Sequence, residues 1–349
     1  MSNKILTIGV AAYNVEKTIE SCIISMLNSK VNNDIEILVV NDGSTDNTAK
    51  VVQQFVNKYP DTVKLINKKN GGHGSTINSA VKYATGKYFK MVDGDDSLEK
   101  KGLCSLVKKL KENTTVDIIF SPYFTVDINT GDKKKIGYLK GTDKMYLNNV
   151  NTSLKSFYKN LFVAMHGITY RTSLLKNSKY HIDEHCFYVD VEYTIYYLIN
   201  ARKILLLDEP VYDYSIGSST QSIDAKVKIK RRDQHLHVCK SLVSFYEAEK
   251  NNVPNYIADM IKKNIVNMIL CNEYTLLMSL PSTRDSYKEI REFDTYLKEK
   301  SLDLYNPNLY TGIRGLNSGK KLALLRFWKK NNFIGYKIIH SMLLNRIDK

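Results

Sequence analysis

Met91-Val92-Asp93-Gly94-Asp95-Asp96 places three carboxylates where a strand-like run ends. Oxygen ligands this crowded repel one another unless a cation lies between them, and Mg²⁺ or Mn²⁺ typically takes one or two carboxylates together with substrate phosphates. An acidic turn capping a helix after Ser97 accounts for the same residues without a metal. Two other turns are of ligand-binding type. Asn41-Asp42-Gly43-Ser44-Thr45-Asp46 follows an apolar run, and Lys68-Lys69-Asn70-Gly71-Gly72-His73-Gly74-Ser75 is glycine-rich and opens a helical pattern, so its backbone can approach an anion closely. Ordinary turn chemistry explains each of them singly. The glycine loop has the spacing of neither a P-loop nor a dinucleotide fingerprint.

The elements that must position these turns are legible from periodicity. Residues 5–13, 35–40, 63–66 and 88–92 read as buried strands, and Ile19, Ile23, Met26 and Leu27, then Ala49, Val52, Val56 and Tyr59, fall on single helix faces. With residues 75–84 as a third helix, the order is βαβαβαβ, which predicts a mainly parallel sheet covered by helices. Right-handed crossovers then put all three turns on one sheet edge, the edge where open sheets bind ligands. Residues 99–113 read as a helix, 116–121 as a strand and 127–135 as a polar turn. Beyond about residue 225 only helical periodicity remains, in 226–250, 256–278 and 286–300. The expected division is a catalytic domain over residues 1–222 and a mainly helical region over 223–349.

Three ligand-type turns on one edge carry a resemblance. Ala11-Ala12-Tyr13-Asn14 resembles the Pro-x-Tyr-Asn strand end of family 2 glycosyltransferases, residues 41–46 their Asp-Asp-Gly-Ser-x-Asp turn, and Asp93-Gly94-Asp95-Asp96 their metal-binding Asp-x-Asp. The likeness covers roughly residues 4–222. Ala11 stands in place of the usual Pro and Asn41 in place of the first Asp. The resemblance implies a GT-A fold, an α/β Rossmann-like sheet flanked by helices, with a smaller helical C-terminal region. The implied nucleotide site comprises Ala11, Tyr13, Asp42, Asn70, Gly71, Asp93 and Asp95, with Tyr13 and Asp42 on a uracil and Asp93 or Asp95 on the ribose. Asp95 or Asp96 would hold Mn²⁺ or Mg²⁺ on the diphosphate. The family's catalytic base sits in a Glu-Asp pair, and in Cys186-Phe187-Tyr188-Val189-Asp190-Val191-Glu192-Tyr193 its Asp corresponds to Asp190. Glu192 is the rival base, and a helix cap over 192–201 is the plain alternative for Asp190.

The implied reaction is inverting transfer of a sugar from a UDP-sugar to an acceptor hydroxyl on a surface glycan or lipid-linked saccharide. The Gln-x-x-Arg-Trp motif of processive synthases is absent, the only tryptophan being Trp328, so one sugar per encounter is expected. His166, between the metal and base motifs, could touch acceptor or diphosphate, and the hydroxyl-rich run 215–222 could sit beside the phosphates. His235-x-His237-x-Cys239 offers zinc-type donors, but residues two apart on a helix face different ways and no fourth ligand is evident, so no zinc site is expected. His181 and His185 lack the order of a zincin.

Composition sets the bounds. With 349 residues, 43% hydrophobic and 25% charged, the chain is globular in type, and its net charge of +15 favours anionic partners. The five cysteines, at 22, 104, 186, 239 and 271, are scattered, which suits a reducing cytoplasm. No signal peptide or membrane span is read, so a cytoplasmic protein is expected, at most peripheral on the membrane. Lys320 to Lys330, followed by Phe333, Ile334, Ile338, Ile339, Met342 and Leu343, is basic and apolar at helical spacing. Such a tail could lie on an anionic membrane with Trp328 inserted, or pack on the protein as its last helix. Two rival functions remain: a nucleotidyltransferase making nucleotide sugars, and a polyanion or nucleic-acid binder. The first would carry its glycine-rich loop where Ala11 to Asn14 stand, and the second would cluster its cations with aromatics on one element; no nucleic acid partner is therefore expected.

Overall fold

The structure, a computed structural model, describes residues 4–137, 164–217, 225–281, 283–310, 319–331 and 333. The chain divides into two compact units, Met1–Gln221 and Ser222–Lys349.

The first unit opens with β1 (Leu6–Ala12), α1 (Ile19–Met26), β2 (Ile35–Asn41), α2 (Thr48–Lys58), β3 (Val63–Asn67), α3 (Gly72–Tyr83) and β4 (Tyr88–Asp93). β1 and β2 are apolar along nearly their whole length because helices cover both sheet faces. β5 (Ser97–Leu98), α4 (Lys100–Glu112), β6 (Ile118–Phe120), β7 (Tyr123–Asp127), β8 (Lys133–Ile136), β9 (Ile168–Arg171), α5 (Thr172–Lys176), α6 (Asp190–Ile195), β10 (Ile204–Leu206) and β11 (Tyr212–Ile216) follow. The central sheet has seven strands in the order β10-β6-β9-β4-β1-β2-β3. β1 to β4 are parallel, as are β6 and β10, whereas β9 runs antiparallel between β4 and β6. Strand order reverses at β1, which makes the crevice beyond the ends of β1 and β4 the expected ligand site. At Gly9 a Cβ would stand 2.8 Å from Cβ of Ala80, so the glycine lets α3 settle directly on the central strand.

A second sheet, β5-β11-β7-β8, was not anticipated. Ser97 belongs to β5, which pairs with β11, so it does not begin a helix; α4 starts at Lys100. Of the expected polar turn over 127–135, the last part is strand β8. Its exposed lysines hold it there: Nζ of Lys133 meets Glu99 at 2.6 Å and Asp213 at 2.8 Å. The helix expected over 192–201 is instead α6 followed by a 3₁₀ turn, Leu198–Asn200.

At the sheet edge where the parallel strands begin, Glu36 is buried. It accepts from the Thr7 hydroxyl and Thr85 N–H, both at 2.6 Å, and pairs with Lys64 at 3.0 Å. Burial alone would raise its pKa, but these bonds bring it below the usual carboxylate range.

The second unit is helical: α7 (Ala225–Lys230), α8 (Arg232–Glu249), α9 (Asn255–Ile265), a π turn at Val266–Leu270, α10 (Cys271–Leu277), α11 (Arg284–Lys300), α12 (Leu302–Tyr305) and α13 (Gly319–Lys330). In α13, Leu322, Leu325 and Trp328 are fully buried. Lys329 also turns inward, donating to Asp294 at 2.9 Å and to the Tyr274 hydroxyl at 2.8 Å. Trp328 is therefore a core residue of this unit, which decides between its two readings in favour of packing on the protein. Residues 334–349 lie outside the described residues. No described helix is long and apolar enough to cross a membrane.

Candidate active site

The turns after β1, β2, β3 and β4 meet at one end of the sheet, joined largely by backbone N–H groups that donate to side chains. Asn14 follows β1 in left-handed conformation, φ 53°, and its side-chain oxygen accepts from Thr45 N–H at 2.8 Å while its own N–H donates to Ser44 Oγ at 3.0 Å. Glu16 N–H donates to Asp46 and Val15 N–H to Thr48, tying the first turn to the second. Tyr13, next to Asn14, is left half exposed.

Asp42 ties the second turn to the third. Its Oδ1 accepts from Gly71 N–H at 2.9 Å and Lys68 Nζ at 2.6 Å, and its Oδ2 from Gly72 N–H at 2.8 Å. Its backbone carbonyl accepts from Asn70 Nδ2. Both carboxylate oxygens are thus engaged and the residue is 2% exposed, so in this structure Asp42 anchors the glycine loop. Gly72, at φ 80°, allows the glycine loop to lie against residues 185 and 186. His185 N–H donates to Gly71 O across this contact.

The acidic turn ends β4. Gly94 N–H donates to Ala11 O, which fixes the turn to the end of β1. Asp96 is buried, accepting from the Tyr212 hydroxyl at 2.5 Å and from Ser215 N–H at 2.8 Å; Ser215 Oγ donates to the carbonyl of Asp95. The second sheet therefore serves the site, because β11 supplies these anchors. Of the hydroxyl-rich run, residues 218–222 lie outside the described residues.

Ligand-type atoms of Asp93, Asp96 and His166 lie within 4.8 Å of one another. Of the two expected ligands Asp96 belongs to this group, while Asp95, an exposed residue, falls outside it and Asp93 and His166 join. His166 sits in a 3₁₀ turn, Met165–Gly167, stacked on Tyr214 at 4.1 Å and edge-on to Tyr212 at 4.9 Å. Its Nδ1 is buried with no hydrogen-bond partner among the described residues. Beneath it Lys90 donates to the carbonyls of His166 and Ile168 at 2.7 and 3.3 Å; burial lowers its pKa to about 7.

Charge in the cluster is unbalanced. Burial, then Asp93 and Asp95, push Asp96 well above the usual carboxylate range. Burial lowers His166 to about 4 despite Asp93, so it is a neutral imidazole. Two carboxylates and a neutral imidazole are a donor set that fits Mn²⁺ better than Mg²⁺, and a cation would relieve the repulsion that adds to burial in raising Asp96.

His73 was passed over in the sequence as one member of the glycine loop. At the start of α3, its Nε2 lies 2.9 Å from Oδ1 of Asp93. Burial opposes its protonation, but Asp93, then Asp190 and Asp95, raise its pKa. Asp190 is the first residue of α6, half buried, and its pKa is raised by burial and by Asp93 against the pull of His73. It is thus near enough to feel both groups. Glu192 is fully buried: its Oε2 accepts from Asp183 N–H at 2.9 Å and its Oε1 from the Tyr196 hydroxyl at 3.1 Å. Burial lifts its pKa to about 8. His185 and Tyr188 hold left-handed backbone, φ 56° and 69°, in the turn leading to Asp190.

A reversed strand order with an acid-rich turn at its switch point, helices on both faces and a helical C-terminal region is the architecture of a GT-A glycosyltransferase. Residues 7–178 match the glycosyl transferase family 2, and the chain belongs to that family: it is a glycosyltransferase. It is 27% identical over 304 residues to the uncharacterized glycosyltransferase EpsJ of Bacillus subtilis (strain 168), covering 84% of each chain. It is 23% identical over 297 residues to the minor teichoic acid biosynthesis protein GgaB of the same strain, covering 82% of this chain and 32% of that protein. The solved mannosyltransferase PcManGT from Pyrobaculum calidifontis, in complex with GDP-Man and Mn²⁺, shares the fold with a TM-score of 0.51 at 15% identity, covering 94% of this chain and 88% of that one.

Proposed function

We propose that this glycosyltransferase moves one sugar from a UDP-sugar to a hydroxyl of a cell-envelope glycan or lipid-linked saccharide, with inversion and with a divalent cation. The observation that carries the metal-dependent reading is the cluster of ligand atoms from Asp93, Asp96 and His166 at the switch point of the sheet. These three would hold Mn²⁺ or Mg²⁺, and the bound cation supplies countercharge to a leaving diphosphate. Asp95, the exposed carboxylate of the turn, is available to the ribose or to the cation. Tyr13 presents an exposed ring for a nucleobase, while Asp42, Asn70 and Gly71 shape the loop beside it and Ala11 carries the carbonyl that holds Gly94.

Asp190 is the base. As the acceptor oxygen bonds to the anomeric carbon and the bond to the diphosphate breaks, the hydroxyl proton passes to the Asp190 carboxylate; a single displacement inverts the centre. The raised pKa of Asp190 suits a proton acceptor. Glu192 has its oxygens committed inside the fold and serves as an anchor of the loop that carries Asp190. The envelope acceptor rests on the printed role of one relative in teichoic acid biosynthesis.

Thermal shift of the full chain with UDP-, GDP- and dTDP-sugars, with and without Mn²⁺, tests this reading, because a ligand of the native state raises its melting temperature. Mn²⁺-dependent stabilisation by a UDP-sugar is expected. Equal stabilisation with and without Mn²⁺ would remove the metal, and a preference for GDP or dTDP would replace the donor.

A further inference from the structure

The helical unit holds a second group of ligand-type side chains. His235 and Cys239 are four apart on α8 and share a face, and Glu273 meets them from α10. His235 Nδ1 and Glu273 Oε2 are 2.5 Å apart; Cys239 Sγ is 3.7 Å from that nitrogen and 4.0 Å from that oxygen. All three side chains are buried, on helices whose other inward residues include Val238, Leu242, Leu276 and Leu277. The π turn Val266–Leu270 immediately precedes α10 and advances by one residue the face that α10 presents, a distortion often found at functional positions. Glu273 also lines a cleft of about 330 Å³, with Arg232, Lys240, Glu289 and Tyr296.

We propose that His235, Cys239 and Glu273 form a binding site for a divalent metal of the zinc type, with a fourth position filled by water or by a ligand entering from that cleft. Imidazole nitrogen, sulfur and carboxylate oxygen are the donors zinc takes, whereas sulfur disfavours Mg²⁺ and Mn²⁺. A tetrahedral ion with bonds of about 2.0 to 2.3 Å keeps its ligand atoms roughly 3.3 to 3.8 Å apart. Cys239 already stands near that spacing from both partners. The His235–Glu273 pair, now bridged by a proton, opens by about 1 Å as the metal takes the proton's place, and Cys239 gives its thiol proton to solvent. The sulfur stands within reach of both the imidazole nitrogen and the carboxylate oxygen, as a third ligand of one ion would. The expectation of no zinc site compared His235 with His237; the pair that shares a face is His235 and Cys239, and the third donor comes from another helix.

Titration of the full chain with Co²⁺ tests the site, since thiolate-to-cobalt charge transfer absorbs in the near ultraviolet and the carboxylate site at Asp93 and Asp96 gives no such band. One equivalent of cobalt with that band, displaced by Zn²⁺ and absent from Cys239→Ala, is the expected result. Glu273→Gln should weaken cobalt binding by about 10-fold or more. No thiolate band at saturating cobalt, or a band that persists in Cys239→Ala, overturns the proposal. Should Cys239→Ala fold poorly by circular dichroism, unchanged cobalt affinity in Glu273→Gln overturns it equally.

Discussion

The imidazole of His73 lies 2.9 Å from the carboxylate of Asp93, so the first turn of α3 is fastened to the end of β4 directly beside the proposed cation. His73→Ala should leave the fold intact while weakening Mn²⁺-dependent UDP binding by about 10-fold, as loss of a group that orients a ligand typically does. Calorimetric titration with UDP in the presence and absence of Mn²⁺ measures it. Unchanged affinity would mean that Asp93 needs no such partner.

Replacing Asp93 or Asp96 with alanine should abolish the Mn²⁺-dependent part of UDP binding, whereas Asp95→Ala, outside the cluster, should weaken it less. Tyr212→Phe, which removes the hydroxyl that Asp96 accepts, should weaken it to a smaller degree. If the Asp93 and Asp96 variants both bind UDP as the unaltered chain does, the cation lies elsewhere.

Asp190→Asn should retain donor affinity but lose roughly 10²- to 10⁴-fold in kcat, the usual contribution of a positioned base. Glu192→Gln should keep most of its turnover, because the side chain is interior. The reverse pattern would transfer the base to Glu192.

Glu192 also predicts a pH dependence of stability. Its folded pKa, about 8, exceeds that of an unfolded glutamate, so the folded state holds the proton more tightly. Its contribution is complete below about pH 4.5 and declines as pH rises to about 8, by at most about 1.4 kcal/mol per unit. Urea unfolding across this range should show the decline in the unaltered chain and a flatter profile in Glu192→Gln.

Trp328→Ala should cost about 3 to 5 kcal/mol of stability in the helical unit, the scale for a large aromatic removed from a core. Binding to anionic liposomes should be unaffected wherever the variant remains folded, since the indole is interior.

The parallel half of the fold and the approach of its three turns could be read in the sequence because each rests on local signals: unbroken apolar strands, helical periodicity and turn residues where strands end. What escaped reading depends on contacts distant in sequence. Lys133 looks like part of a polar turn until Glu99 and Asp213 meet it in space. Asp42 reads as a free ligand, and only the fold reveals that Gly71 and Gly72 claim its oxygens. His73 stands among the glycines of its loop and carries no motif of its own, whereas His166 is a candidate contact in the sequence whose place beside Asp93 depends on the antiparallel entry of β9. For Trp328 the sequence leaves membrane insertion and packing on the protein both open, because an amphipathic helix has the same pattern whether protein or lipid covers it, and its burial selects packing.

The Glu36 network stands at the opposite rim of the sheet from the catalytic turns and shares no residue with them. Robustness and turnover are thus assigned to different ends of the same strands. An engineer could toughen or loosen the protein at Thr7, Glu36 and Lys64 without entering the chamber where sugar changes hands.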